Sequence, residues 1–136
     1  KFDNSTIGDI LLKPTKIYLQ AIAKISKDFD VVGINNTGYG LKNFNRISGN
    51  FEFFIDKPLK PQPIFELMQK ESGFSDREMY ETFNMGMGFF VVCKKEDADD
   101  ILQMAKDGRF IGEVRKSSKT MTTLNLKNNK IAFEGY

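Results

Sequence analysis

The 136-residue sequence contains no histidine, no tryptophan and a single cysteine, Cys93. Without histidine, the common zinc ligand sets and the Ser-His and Cys-His catalytic pairs are excluded, and a general base would have to be Asp, Glu, Lys or Tyr. One thiol in an apolar run builds no disulfide framework and fits a reducing compartment. Because no apolar run is long enough for a membrane span and no signal peptide is visible, we expect a cytoplasmic protein without a membrane partner.

The sequence also lacks a strong excess of charge of either sign. Its net charge is +2, and its lysines are interspersed with acidic residues. Nucleic-acid binding requires clustered Lys and Arg, so we predict no nucleic-acid partner. With 40% hydrophobic residues, the chain can bury the core of a single domain, which we assign to residues 1–136. Because the chain begins at Lys1 and not at Met, we interpret it as a fragment or an excised domain.

Hydrophobic periodicity predicts helices interleaved with strands. After a loop or short extended arm at 3–13, the predicted helices are Pro14 to Phe29, a short one over Leu41–Ile47, Ile64–Lys70, one from the capping box Ser75–Glu78 to Phe83, and Asp97–Asp107. The predicted strands are Val31–Ile34, Phe51–Asp56, Gly88–Lys94, Phe110–Arg115, and a terminal hairpin of Thr120–Leu126 and Lys130–Phe133 that turns at Asn128 and Asn129. This pattern favours an α+β fold with helices packed on a mostly antiparallel or mixed sheet.

Two glycine-containing stretches are candidate ligand sites. The loop Asn35–Gly40 lies between a predicted strand and a short helix, where successive backbone N–H groups can bind an anion. The alternative is an ordinary turn whose glycines supply positive φ, and spacing alone favours that alternative. In Asn84–Gly88, alternate glycines either expose backbone to a ligand or another chain, or mark a bulge or a close packing of helix on strand.

A cluster of acidic residues begins the last predicted helix. Asp97, Asp99 and Asp100 complement the helix dipole at this end, and we interpret them as solvated side chains. We therefore predict no metal site in this chain.

Four stretches, in order along the chain, resemble one enzyme family. Residues 78-EMYETFNMGMG-88 resemble the signature EM-x-x-TFN-x-G-x-G of phosphoribosylformylglycinamidine cyclo-ligases (aminoimidazole ribonucleotide synthetases). Residues 8-GDILLKPTKIYLQ-20 resemble the family's G-E-x-LL-x-PTRIYVK, and 34-INNTGYGLKNFNRI-47 its AHITGGG-x-x-x-NLPR-x. Residues 109-RFIGEVRKSS-118 resemble its IG-x-V strand. The resemblance covers essentially the whole chain.

The resemblance implies the fold of the C-terminal domain of the aminoimidazole ribonucleotide synthetase superfamily, and it implies a ribonucleotide substrate. It implies that the complete enzyme closes the ring of formylglycinamidine ribonucleotide with ATP, giving aminoimidazole ribonucleotide, ADP and phosphate. ATP and Mg²⁺ would be held mainly by an N-terminal domain that this chain lacks, so the isolated domain would be inactive and the complete protein a homodimer. The implied substrate-binding residues are Thr37, Gly38, Gly40, Asn43, Arg46, Asn84, Gly86 and Gly88.

Several departures from the family pattern bear on the chemistry of the site. Asn35 replaces the loop histidine, Tyr39 a loop glycine, Asn45 the proline of NLPR, and Lys16 the arginine of PTRIY. Asparagine cannot transfer a proton near neutral pH, so the catalytic residue is left unassigned. Two alternatives therefore stay open beside the cyclo-ligase: a non-catalytic ligand-binding or interaction domain, and a superfamily paralogue acting on another small molecule.

Overall fold

A computed structural model describes residues 5–127 and 129–135 of the chain. The helices are α1 (Ile7–Leu11), α2 (Leu19–Asp28), α3 (Pro63–Ser72), α4 (Asp76–Thr82) and α5 (Ala98–Met104), with 3-10 helices at Gly40–Arg46 and Lys95–Asp97. The strands are β1 (Val32–Asn35), β2 (Phe51–Ile55), β3 (Phe89–Val92), β4 (Gly112–Lys116), β5 (Met121–Leu126) and β6 (Asn129–Glu134). No helix in the described ranges has both the length and the apolar character needed to cross a membrane.

The strands form two sheets, and the larger one is mixed. Its order is β4-β2-β5-β6, in which β2 and β5 run parallel and the other two pairings are antiparallel. β1 and β3 form a separate antiparallel pair with Ile34 opposite Phe90. Helices and a mixed sheet confirm the predicted α+β fold.

One hydrophobic core joins the two sheets. Alternate residues of β2, β5 and β6 point into it, because side chains alternate between the faces of a strand. The ring of Phe44, in the first 3-10 helix, packs against Phe53 of the large sheet at 4.9 Å and against Phe90 of the small one at 4.5 Å between centroids. Aromatic contacts at this separation are favourable beyond their burial. The first 3-10 helix is thereby held between the sheets.

The N-terminal prediction is wrong in two respects. The predicted arm contains α1, which Thr6 caps with a reciprocal box to Asp9; this signal is present in the sequence, with Asp in place of the usual Glu. The helix predicted from Pro14 begins only at Leu19, and Ile17 is 82% exposed. β-branched Thr15 and Ile17 disfavour helix in the intervening segment. Residues 3 and 4 of the predicted arm lie outside the described residues.

Most other elements are confirmed with shifted ends. Ser75 and Glu78 form the predicted capping box of α4, and Gly73 ends α3 in the left-handed conformation. Val32 of β1 is 47% exposed, so β1 is not the fully buried strand that its apolar run predicts. A two-stranded sheet covers the core with only one face, which here carries Ile34. The terminal hairpin is present, and Asn128 of its predicted turn lies outside the described residues.

Candidate functional site

The first loop runs from the end of β1 into the first 3-10 helix, over residues 36–40. It closes with a hydrogen bond from the Gly40 amide to the Thr37 carbonyl at 3.2 Å. Tyr39 takes the left-handed conformation with φ of 73°, at the position where the family pattern has glycine. No acceptor among the described residues takes a hydrogen bond from the amides of Thr37 or Gly38. Consecutive unpaired amides of this kind can bind an anionic oxygen.

Asn43 and the last residue of the loop, Gly40, hold the shape of the loop. Asn43 is buried, and its Nδ2 donates to the carbonyls of Gly38 at 2.9 Å and Gly40 at 2.8 Å. Gly40 has φ of +48°, and a Cβ there would lie 2.1 Å from the carbonyl oxygen of Tyr80 in α4. Only glycine allows this approach. The structure therefore gives Gly40 and Asn43 a role in shaping the loop, and their predicted contact with a substrate stays a prediction.

The second loop, residues 84–88, is a tight turn that enters β3. The side-chain Oδ1 of Asn84 accepts a hydrogen bond from the Gly86 amide at 2.9 Å, and the Asn84 carbonyl accepts one from Met87 at 2.9 Å. Met85 and Gly86 both have positive φ, while Met85 and Met87 are buried in the core. The two methionines anchor the turn in the core, and Asn84, Gly86 and Gly88 line the cleft onto which both loops open.

The close approach of a neighbouring side chain requires glycine at position 88, and the spacing of glycines in the sequence does not reveal this contact. A Cβ at this position would lie 2.2 Å from the hydroxyl oxygen of Tyr18. The Tyr18 ring packs on Phe89 with 5.3 Å between centroids, so the segment before α2 lies across the start of β3. The structure thus supports the close-packing interpretation of this glycine, and its predicted contact with a substrate stays a prediction.

Asn36 connects the two loops, and sequence reasoning did not single it out. Its amide N–H donates to the Gly88 carbonyl at 2.9 Å and its Nδ2 to the Met87 carbonyl at 2.8 Å. The family pattern quoted above has isoleucine here, so the bridge is a feature of this chain. Strand periodicity could have found it, since Asn36 shares a face with buried Ile34 and a buried amide needs partners.

Both loops open onto one broad cleft of about 2030 Å³. Five of the eight predicted binding residues line it: Thr37, Gly38, Asn84, Gly86 and Gly88. Asn35, which replaces the family's histidine, lines it as well. Gly40, Asn43 and Arg46 are not among the lining residues. The cleft exceeds the few hundred to about 1,000 Å³ of a usual small-molecule pocket. It is therefore a broad, open concave face and not a closed pocket.

Basic side chains outnumber acidic ones on this face. The basic residues are Lys13, Lys16, Lys94, Lys95, Lys106 and Arg109, and the acidic ones are Asp99, Asp107 and Glu113. Lys16 and Asp107 form an exposed ion pair at 2.5 Å, in which the carboxylate raises the pKa of Lys16 and the ammonium lowers the pKa of Asp107. The positive excess favours an anionic ligand.

Cys93, which lines the cleft, and Tyr80, which lies behind the first loop, both have raised pKa values and are not activated as nucleophiles. Burial, with a smaller effect of Asp97, raises the pKa of the Cys93 thiol, so this side chain stays protonated at neutral pH. Burial likewise raises the pKa of Tyr80. The described residues contain no group of three His, Cys, Asp or Glu side chains that could hold a metal ion. With amides, glycines and backbone groups, the two loops can bind and orient a ligand.

The fold and the site define an α+β domain that presents two glycine-containing loops on one cleft. The chain belongs to the family described as AIR synthase related protein, C-terminal domain, whose model matches residues 1–124. This result confirms the resemblance seen in the sequence.

Three curated relatives of this chain are much longer proteins. A phosphoribosylformylglycinamidine cyclo-ligase of Methanosarcina barkeri is 43% identical over 119 residues, 85% of this chain and 34% of the relative. One of Methanosarcina mazei is 40% identical over 119 residues, 85% and 34% of the two chains. One of Methanopyrus kandleri is 32% identical over 115 residues, 82% and 33%. This chain thus spans about one third of the length of the relatives it matches.

Proposed function

We propose that this chain is the C-terminal domain of a phosphoribosylformylglycinamidine cyclo-ligase of purine biosynthesis. The complete enzyme would convert formylglycinamidine ribonucleotide and ATP to aminoimidazole ribonucleotide, ADP and phosphate. The observation that carries the proposal is the meeting of the two loops on one cleft. These loops contain the two most characteristic stretches of the resemblance, and they lie about 50 residues apart in the sequence.

The chain's own residues would bind and orient the ribonucleotide. The amides of Thr37 and Gly38 are available to a phosphate oxygen, and the basic side chains around the cleft favour its approach. Gly86 and Gly88 would let the ligand come close to the backbone, with Asn84 beside it. Held in this way, the formyl carbon and the amidine nitrogen of the substrate would be kept near each other, so that the C–N bond of the ring can form as the formyl oxygen leaves.

ATP supplies the chemistry of the step by phosphorylating the formyl oxygen, which makes it a leaving group for attack by the amidine nitrogen. We assign no residue of this chain to Mg²⁺, because the described residues do not contain a suitable ligand cluster. In the complete protein, ATP and Mg²⁺ would be held mainly by a region that corresponds to the two thirds of the relatives outside the match to this chain. A homodimeric, cytoplasmic complete protein and an inactive isolated domain are part of the same proposal.

Arg46 keeps its predicted role as a proposal only. It ends the first 3-10 helix and is not among the cleft-lining residues. If it binds substrate in the complete protein, Arg46→Ala raises KM. An unchanged KM would remove Arg46 from the site.

A second candidate function is a non-catalytic ligand-binding domain, and Asn35 favours it. Asn35 lines the cleft at the position of the family's histidine, and asparagine cannot act as a general acid or base because its amide does not titrate near neutral pH. In this case the loops would still bind a ribonucleotide, but no ring closure would follow.

One experiment distinguishes the two functions. The complete coding sequence that contains this chain is expressed, and ATP-dependent formation of aminoimidazole ribonucleotide is measured together with ribonucleotide binding. Turnover supports the cyclo-ligase, and binding without turnover supports the second candidate. A folded protein that neither binds nor turns over the ribonucleotide refutes both. Asn35→His is the matched variant, expected to raise turnover if the lost histidine limits the rate.

A further inference from the structure

Asn36 makes hydrogen bonds that cross from the first loop to the second. The side chain is 2% exposed. Its Nδ2 donates to the Met87 carbonyl at 2.8 Å and, at a longer 3.4 Å, to the Asn84 carbonyl. With the backbone bond to Gly88, a single residue contacts the beginning and the end of the second loop.

The orientation of this amide is fixed by its surroundings. Both contacts of Nδ2 are carbonyl oxygens, so a rotated amide would bring Oδ1 against the Met87 carbonyl without a proton between them. In the observed orientation Oδ1 is buried without a hydrogen-bond partner among the described residues. A buried unpaired acceptor is destabilising, and an apolar side chain would avoid it. What the amide adds over an apolar side chain is its pair of donors, both directed at the second loop.

We propose that Asn36 is a positioning residue, which sets the separation of the two loops and through it the affinity of the cleft for a phosphorylated ribonucleotide. The identity of this ligand rests on the proposed function, but the coupling of the loops does not. Asn36 is not assigned a contact with the ligand, since it would act through the carbonyls and glycines of residues 84–88.

The test compares Asn36→Leu with Thr122→Val in the chain described here. Asn36→Leu removes both donors and keeps the size of the side chain. Thr122→Val is the matched control, because Thr122 is fully buried and loses its hydrogen bond to Asn45, but does not line the cleft. Binding of formylglycinamidine ribonucleotide is measured by calorimetry, and hydrogen exchange of the Gly86 and Met87 amides by NMR without ligand.

We expect Asn36→Leu to raise Kd roughly fivefold or more, the effect of one or two lost hydrogen bonds. Exchange at Gly86 and Met87 should become faster by about tenfold, because these amides report the turn that Asn36 holds. Thr122→Val should lower the melting temperature and change neither value. If Asn36→Leu lowers only the melting temperature, Asn36 is a structural residue and the proposal is wrong.

Asn36→Asp provides a second variant with a pH readout. The ionised carboxylate would face the Met87 carbonyl and donate nothing, whereas the protonated acid can donate one hydrogen bond. Burial raises the pKa of such a carboxyl, so the donor returns as the pH falls through that raised value. The ratio of variant to wild-type Kd should therefore decrease toward acid pH. A ratio independent of pH contradicts the proposal. This second test still decides the matter if Asn36→Leu fails to fold.

Failure of the proposed function can be recognised separately. If the wild-type chain binds no ribonucleotide, the ligand assignment fails, and exchange in the ligand-free variants still decides the role of Asn36. Faster exchange confined to residues 84–88 in Asn36→Leu supports the loop coupling. Exchange equal to that of the wild type overturns it.

Discussion

Gly38 and Gly40 lie two residues apart in the same loop, yet the structure gives them opposite sensitivities to a methyl group. A Cβ on Gly38 would have no atom within 4 Å, and its φ is outside the left-handed region. A Cβ on Gly40 would lie 2.1 Å from the Tyr80 carbonyl oxygen and 2.9 Å from that of Phe83, at a φ of +48°. We predict that Gly40→Ala lowers the free energy of unfolding of the domain, while Gly38→Ala changes only ligand binding.

The expected cost at Gly40 has two parts. An L-residue in the left-handed conformation costs about 1–2 kcal/mol, and forcing a methyl into packed backbone costs about 1–3 kcal/mol more. The free energy of unfolding should therefore fall by roughly 2–5 kcal/mol, a large part of the ~5–15 kcal/mol typical of a domain. At Gly38 neither part applies, and the change should stay within ~0.5 kcal/mol.

Urea unfolding followed by circular dichroism measures this difference. With a slope of about 1–3 kcal/mol per molar urea, Gly40→Ala should lower the midpoint by on the order of 1–2 M, and Gly38→Ala should leave it unchanged. Equal destabilisation by the two variants would show that the loop is held differently from this description.

Ligand titration of Gly38→Ala completes the test. The added methyl lies beside an amide that we propose for phosphate binding, so Kd for formylglycinamidine ribonucleotide should rise. An unchanged Kd would show that the first loop does not contact the ligand, whatever the stability of the variant.

Three further predictions concern the contacts that position the site. Hydrogen bonds from the Ser75 amide and hydroxyl lower the pKa of Glu78. The contribution of Glu78 to stability is therefore complete above the usual glutamate pKa and is lost as the pH falls through the lowered folded value. Glu78→Gln should weaken the dependence of the unfolding midpoint on pH in the acid range, and an unchanged dependence would contradict this. Gly88→Ala should cost about 1–3 kcal/mol through contact with the Tyr18 hydroxyl, and adding Tyr18→Phe should recover part of the loss in a double-mutant cycle. Asn45→Ala should lower the free energy of unfolding, measured by thermal unfolding, by roughly 1–3 kcal/mol. The Asn45 amide donates to two backbone carbonyls near the end of the chain and accepts a hydrogen bond from a buried threonine. No loss of stability would mean that these hydrogen bonds are made equally well to water.

Asn45 also accounts structurally for one departure from the family pattern. Proline has no side-chain amide, whereas Asn45 donates to the carbonyls of Phe133 and Gly135 and accepts from Thr122. These bonds tie the first 3-10 helix to the terminal hairpin. The substitution is thus accommodated by the neighbouring strands and does not indicate a changed site.

The elements with strong local signals were predicted well. The capping box at Ser75, the left-handed end of α3 at Gly73 and the terminal hairpin each depend on residues close together in the sequence. Their energetics are local, so pattern and turn chemistry suffice. The start of α2 was mispredicted for two reasons: β-branched Thr15 and Ile17 disfavour helix before Leu19, and Tyr18 packs on Phe89, about seventy positions away in the sequence.

The sequence by itself determined the family, the α+β class and the two glycine-containing loops, because motif identity and periodicity are properties of neighbouring residues. Only the tertiary structure decided which glycine does what: Gly40 is crowded by α4, Gly88 by Tyr18, and Gly38 by nothing. It also revealed Asn36 as the bridge between the loops. The physical reason is that a Cβ clash or a buried hydrogen bond depends on which distant atoms come within a few ångströms, and only the folded chain brings them there.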